Sequence, residues 1–155
     1  MTTNPHHVNH PTTVCQLTLP PHPESIDAIH DLVAALWAQN PQLSDPDKGR
    51  FELGVIEVAS NIIEDMRRAP PDAPQVNIVV TLTADPQEIT ARFCDEGRAT
   101  DIDLSAVDMP DEMAERGRGL ALTQAMLDDL TYERSGSTNI WTLTCVRAAP
   151  KGSAR

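Results

Sequence analysis

Apolar residues recur along the chain at two spacings, and these spacings predict five strands and three helices. Alternation of apolar and polar residues is typical of a strand with one buried face, and it predicts strands at residues 14–19, 76–83, 88–94, 131–134 and 139–146. Apolar residues three and four positions apart are typical of an amphipathic helix. They predict helices at residues 24–39 and 50–68, and a third helix after Gly119 that includes Leu120, Leu127 and Leu130.

The order of these elements predicts an α/β fold. Short turns at residues 84–87 and 135–137 join two pairs of strands, which must therefore be antiparallel. We expect a two-layer sandwich in which three helices cover one face of a mixed, mostly antiparallel sheet. Residues 14–147 are predicted to form this domain, between a disordered N-terminal tail at 1–13 and a frayed C-terminal tail at 148–155.

Composition narrows the class of function. The length of 155 residues suits one domain, and only 3% of the residues are aromatic. A net charge of -11 repels nucleic-acid phosphates and anionic lipid, so we expect no direct binding of nucleic acid or membrane and regard a basic protein as a suitable partner. Cys15, Cys94 and Cys145 form no CxxC pair and follow no signal peptide, which is typical of reduced, structural cysteines in a cytoplasmic protein.

Two pairs of residues carry candidate chemistry. Glu57 and Asn61 are four residues apart and therefore share one face of the second helix, in a polar stripe that we place on the side away from the apolar one. Asp95 follows the third strand, where a carboxylate can accept a hydrogen bond from an amino group, and Gly97 lets the backbone approach a flat ring. Taken alone, the first pair is better explained by a solvated helix face and the second by an ordinary turn.

A third motif is Gly117-Arg118-Gly119, at the start of the third predicted helix. Unpaired N–H groups and the helix dipole favour a phosphate there, although two glycines before a helix also serve as a simple flexible loop. The chain has no P-loop glycine-lysine motif, and Lys48 and Lys151 are its only lysines. A P-loop NTPase and a protein kinase of the eukaryotic type are therefore excluded.

The three motifs occur in an order that resembles one family. A helical E-x-x-x-N, a strand-end D-x-G and a G-x-G at a helix start are similar to the motifs of the anti-sigma-factor serine/threonine kinases, which belong to the Bergerat-fold, histidine-kinase-like ATPase superfamily. The resemblance extends over residues 14–147. It departs from the family pattern at Asp65, where the family often has His, at Ala99, where it usually has Gly, and at residues 137–139, where it commonly has Gly-Thr.

The resemblance implies a site for ATP and Mg²⁺. Asn61 would hold Mg²⁺ against the phosphates, Asp95 would receive the adenine amino group beside Gly97, and Glu57 would act as the general base or orient the attacking hydroxyl. The phosphates would be lined by Gly117, Arg118 and Gly119. The loop at 98–116 would be a lid over ATP, and we expect its many carboxylates to face solvent or a basic partner.

The resemblance also implies a role in transcription regulation by partner switching. The protein would be a homodimer that sequesters a sigma factor and phosphorylates an anti-sigma-factor antagonist of the STAS type. One alternative is a non-catalytic or weakly catalytic nucleotide-binding module that captures a partner. Another, a histidine-kinase catalytic domain from a larger receptor, is less favoured because no helix with a phosphoacceptor histidine precedes the domain.

Overall fold

The computed structural model describes residues 12–100, 104 and 115–148, and of these it describes 115–118 by their backbone alone. Within these residues, five strands and three helices follow one another in the predicted order. The strands are β1 (Thr13–Leu19), β2 (Ile78–Ala84), β3 (Glu88–Asp95), β4 (Asp129–Ser135) and β5 (Thr138–Val146), and the helices are α1 (Ser25–Ala38), α2 (Asp45–Arg67) and α3 (Glu115–Met126).

The strands form one sheet in the order β1-β2-β3-β5-β4. All four pairings between the described strands are antiparallel. Burial alternates along β2 and β3, so that one face of the sheet is covered by the helices and the other is more exposed. The predicted α/β sandwich is therefore confirmed. The register of β3 and β5 places Asp95 directly opposite Asn139 at one end of the sheet.

The hydrophobic core lies between the sheet and the helices. The predicted apolar stripe of α2 supplies Phe51, Val55 and Val58, all fully buried, and the sheet supplies Phe93 and Leu143. The core is mostly aliphatic, with the rings of Phe51, Phe93 and Trp141 buried among these side chains. This packing fixes α2 against β3 and β5, which are the elements that carry the candidate site.

Three predicted boundaries need correction. Helix α2 begins at Asp45 and not near Arg50, because the Ser44 hydroxyl caps it by accepting the Asp47 N–H at 3.2 Å. Helix α3 begins at Glu115, before the glycine motif rather than after it. Leu130, which has helical spacing in the sequence, lies in β4 because α3 ends at Met126.

The predicted polar stripe of α2 also needs correction. Gly54 and Asn61 were placed on the side away from the core, but both are buried. Helix α3 packs against this side of α2, and Leu127 and Thr123 lie over Gly54. Gly54 therefore lies between packed elements, and Asn61 is buried and not on a solvated face.

Some predictions concern residues outside the described ones. Residues 1–11 and 149–155 of the predicted tails lie there, as does most of the predicted lid at 98–116. At the tail boundaries, Thr13 belongs to β1, and the Ala148 N–H donates to Asp47 Oδ2 at 2.9 Å. None of the described helices combines the length and the apolar character that crossing a membrane requires.

Candidate functional site

A cavity of about 540 Å³ opens beside the end of the sheet where β3 meets β5. Its walls are the last turns of α2, the connection between α2 and β2, the residues that follow β3, and part of β5. This volume is typical of a pocket for a small organic molecule. Three of the predicted site residues, Asn61, Asp95 and Gly97, line the cavity together.

Asp95 is the last residue of β3, and it is only 5% exposed. Its Oδ1 atom accepts hydrogen bonds from the Gly97 N–H and from the Asn139 amide, both at 2.9 Å. Among the described residues, no donor contacts its Oδ2 atom. One carboxylate oxygen is therefore held by the protein, and the other is left to accept a hydrogen bond from a molecule in the cavity.

Gly97 closes the turn after Asp95. A Cβ atom on this residue would lie 3.0 Å from Asp95 Oδ1 and 3.5 Å from the methyl carbon of Met66. A larger residue would therefore push against the carboxylate that its own N–H binds. The glycine keeps this wall of the cavity thin, which leaves room for a flat ring to approach the backbone closely.

Asn61 lies one turn after Glu57 on α2 and is 7% exposed. Its amide is part of the cavity wall, and Asp65 follows it one turn later on the same wall. Oxygen ligands are what Mg²⁺ prefers, and it usually keeps several waters and binds substrate phosphates, so a single amide oxygen suits it. Among the residues that the structure describes, no group of three His, Cys, Asp or Glu side chains forms a metal site of protein ligands alone. A Mg²⁺ ion at Asn61 would therefore need further oxygen ligands from water or from a bound molecule.

Glu57 is partly buried and faces α3. A Cβ atom on Gly119 would lie 3.1 Å from the carboxyl carbon of Glu57, so the absence of a side chain there lets α2 and α3 approach closely. Glu57 thus lies next to Gly119 of the glycine motif, but it is not among the described residues that line the cavity.

The glycine motif lies within the first turns of α3. Because the helix begins at Glu115, the unpaired N–H groups of its first turn come before Gly119 and include the region of Gly117. The position of the Arg118 side chain lies outside the described part of the structure. The assignment of phosphate contacts to Gly117, Arg118 and Gly119 therefore stays a prediction.

Sequence reasoning missed three residues next to Asp95. Asn139 on β5 is only 3% exposed, and its amide oxygen accepts from the Tyr132 hydroxyl at 2.6 Å and from Arg134 Nη1 at 2.8 Å. Tyr132 and Arg134 belong to the edge strand β4. One signal was available, because an asparagine inside an apolar strand needs buried partners. Their identity depends on the pairing of β3 with β5, which the sequence does not state.

Comparison with known proteins agrees with this geometry. The family model described as the histidine kinase-like ATPase domain matches residues 19–145. No curated protein sequence matches the chain.

Among solved structures, the fold is similar to the crystal structure of the RsbU and RsbW domains of Rv1364c from Mycobacterium tuberculosis, with a TM-score of 0.59 and 16% sequence identity. The match covers 90% of this chain and 34% of that one, so this chain corresponds to about a third of the longer protein. At this identity the likeness concerns the fold. The family match over residues 19–145 shows that the chain belongs to the histidine kinase-like ATPase domain family.

Proposed function

We propose that this protein binds ATP with Mg²⁺ in the cavity and acts as an anti-sigma-factor serine/threonine kinase. The observation that carries the proposal is the buried Asp95 carboxylate, which lines a cavity of about 540 Å³ and has one oxygen held by two N–H donors, while no donor among the described residues contacts the other oxygen. Adenine carries an exocyclic amine that donates to such an oxygen, whereas guanine has a carbonyl oxygen at the same place, which is an acceptor and has no hydrogen to donate to the carboxylate.

The proposed chemistry is transfer of the terminal phosphoryl group to a serine or threonine hydroxyl. A bond forms between the hydroxyl oxygen and the terminal phosphorus, the bond from that phosphorus to the bridging oxygen breaks, and ADP leaves. Bound Mg²⁺ would neutralise charge on the phosphates, with Asn61 as its protein ligand. Glu57 would accept the hydroxyl proton or orient the hydroxyl, and the first turn of α3, with Gly117, Arg118 and Gly119, would bind the phosphates.

The proposed partners follow from the motif order and the fold. The motifs resemble those of the anti-sigma-factor kinases, and the fold match to a chain with an RsbW domain supports that assignment. We therefore propose a cytoplasmic homodimer that sequesters a sigma factor and phosphorylates a STAS-type antagonist. The net charge of -11 supports a basic protein surface as partner and disfavours nucleic acid or anionic lipid.

Calorimetric titration of the full chain with ATP and Mg²⁺ tests the binding step. Asp95→Asn would keep the acceptor toward Gly97 and Asn139 but turn an amide donor to the adenine amine, so we expect ATP affinity to fall about 100-fold. Asn61→Ala should remove the dependence of binding on Mg²⁺. Wild-type protein that binds no ATP under these conditions would overturn the proposal.

One observation favours a second candidate, a nucleotide-binding module with little or no kinase activity. Among the described residues, Glu57 contacts Gly119 of α3 and does not line the cavity. Phosphate transfer from labelled ATP to a cognate antagonist separates the two candidates. Transfer that falls at least about 100-fold in Glu57→Ala supports the kinase. Tight ATP binding without transfer, together with partner capture, supports the module.

A further inference from the structure

The Asn139 side chain, in the lining of the cavity, makes hydrogen bonds to five groups of the described residues. Its amide nitrogen donates to Asp95 Oδ1 at 2.9 Å, to the Arg98 carbonyl at 2.9 Å and to the Gly97 carbonyl at 3.3 Å. Its amide oxygen accepts from Tyr132 and Arg134. A flipped amide would lose its contacts with the acceptor oxygens of Asp95, Gly97 and Arg98 and with the donor Arg134, so these partners define one orientation, with the nitrogen toward Asp95.

This orientation decides what Asp95 offers to the cavity. The Oδ1 atom accepts two N–H donors, from Asn139 and from Gly97, at equal distances of 2.9 Å. Two donors on one oxygen fix the rotation of the carboxylate, and with it the place of the Oδ2 atom.

The amide is in turn held by the edge strand. The Tyr132 hydroxyl donates to Asn139 Oδ1 and also accepts the Thr100 N–H at 3.2 Å, while Arg134 donates to Asn139 Oδ1 and to the Gly97 carbonyl at 3.0 Å. The aromatic ring of Tyr132 packs on Trp141, with ring centroids 4.9 Å apart. Strand β4 therefore fixes both the amide and the backbone of residues 97–100, which form the cavity wall after Asp95.

We propose that Asn139, supported by Tyr132 and Arg134, is a positioning residue that sets the selectivity of the cavity for a purine with an exocyclic amine at its six-position. This inference rests on the proposed binding of ATP. A fixed acceptor binds a ligand that donates a hydrogen bond at that place more tightly than a ligand that presents a carbonyl oxygen there. If the carboxylate could rotate, it would turn away from the carbonyl oxygen and the discrimination would weaken.

The test compares ATP with inosine triphosphate, which has a carbonyl oxygen in place of the amine. We expect the wild-type chain to bind ATP about 100-fold more tightly than inosine triphosphate with Mg²⁺ present. Asn139→Ala should weaken ATP binding about 10-fold and leave the binding of inosine triphosphate nearly unchanged, so that the ratio of the two affinities falls to about 10. Tyr132→Phe, which keeps the ring but removes one donor to Asn139, should lower the ratio in the same direction by about 3-fold.

Asn40→Ala is the matched control. Asn40 is also a buried asparagine, 5% exposed, but it donates to the Leu36 carbonyl at the end of α1, outside the cavity lining. This variant should be less stable than wild type, but its ratio of ATP affinity to inosine triphosphate affinity should be that of wild type. If Asn139→Ala does not fold, the ratio of Tyr132→Phe decides the proposal.

The outcomes separate the two claims. Wild-type protein that does not bind ATP contradicts the proposed function itself. A second outcome is that wild-type protein prefers ATP, while Asn139→Ala and Tyr132→Phe keep the wild-type ratio of ATP affinity to inosine triphosphate affinity. This outcome would agree with the proposed function and overturn the role of Asn139.

Discussion

At the scale of single residues, two glycines of α2 differ in what surrounds them. A Cβ atom on Gly54 would lie 2.7 Å from a methyl carbon of Leu127 and 3.3 Å from methyl carbons of Leu143 and Thr123, whereas a Cβ on Gly49 would meet nothing within 4 Å. Gly54 is thus the contact point of α2 with α3 and β5. Its small size sets how closely these elements pack.

Gly54→Ala should therefore destabilise the protein by about 1 kcal/mol, because overpacking outweighs the gain in helix propensity. Gly49→Ala, in the same helix, should stabilise it by about 0.5–1 kcal/mol through reduced freedom of the unfolded chain. Urea unfolding measures both free energies. Equal changes in the two variants would contradict close packing at Gly54.

Cys145 is the second residue with a predictable response. Burial raises the pKa of its thiol from 9.0 to about 11, although the nearby Arg50 acts in the opposite direction. The thiolate is the reactive form, so alkylation of Cys145 in the folded protein at pH 8 should be at least about 100-fold slower than in urea. Mass spectrometry after iodoacetamide treatment measures this, with the half-buried Cys15 and Cys94 as internal controls. Rapid labelling of Cys145 in the folded state would contradict its burial.

The residues of the site show what a sequence can reveal. Asn61, Asp95 and Gly97 were predictable because each motif is local, and the structure brings all three to one cavity. Asn139 was not, because its function depends on the register that places it opposite Asp95, 44 residues away along the chain. Local patterns predict residue types at strand ends, but they do not state which strand ends are neighbours.

At the scale of secondary-structure elements, the first turn of α2 is tied to distant parts of the chain. Asp47 Oδ1 accepts from Arg50, and its Oδ2 accepts the Ala148 N–H. Arg50 also donates to the Val146 carbonyl at 2.6 Å and to Asp128 at 3.3 Å. The start of α2 therefore holds the end of β5 and the connection between α3 and β4.

The pKa of Asp47 gives this cluster a predictable pH dependence. Burial raises the pKa, but hydrogen bonds from the Ala148 N–H, Ser44 and Arg50 outweigh it and lower the pKa below 3.8. A lowered pKa in the folded state contributes stability above the unfolded value, and this contribution is lost as the pH falls from about 4 through the folded pKa.

Asp47→Asn should therefore cost about 1–2 kcal/mol at pH 7 and progressively less below pH 4. Urea unfolding at several pH values measures the difference from wild type. Asp45→Asn is the control, because its side chain in the same turn is 99% exposed. A cost that stays constant down to pH 2.5 would contradict the sign of this dependence.

Element boundaries show why part of the fold escaped prediction. The start of α2 had a local signal in Ser44 and Pro46, but the apolar stripe begins only at Phe51 and suggested a later start. The polar stripe of α2 was misplaced because its burial depends on α3, which lies more than 50 residues further along the chain. Periodicity identifies a face, whereas the partner of that face is decided by the tertiary fold.

At the scale of the whole molecule, the net negative charge opposes both folding and the binding of an anionic ligand. Twenty-three acidic residues against 12 basic ones give a net charge of -11 at pH 7. Among the described residues, Arg50, Arg68 and Arg98 form ion pairs with carboxylates of the same chain, so these cations are already paired. The remaining negative charge repels itself in the compact state, and an anionic nucleotide must approach against the same field.

Screening this field should stabilise the protein. The Debye length falls from about 30 Å at 0.01 M salt to about 10 Å at 0.1 M, which is shorter than the width of such a domain. We therefore expect Tm to rise by about 3–5 °C when NaCl is raised from about 10 to about 100 mM, since 1 kcal/mol corresponds to about 2–8 °C for domains of this size range. Sucrose at equal osmolality is the control for general exclusion effects, and it should not reproduce the steep rise at low concentration. A Tm that falls with NaCl would mean that the internal ion pairs, which salt weakens, outweigh the repulsion among the unpaired carboxylates.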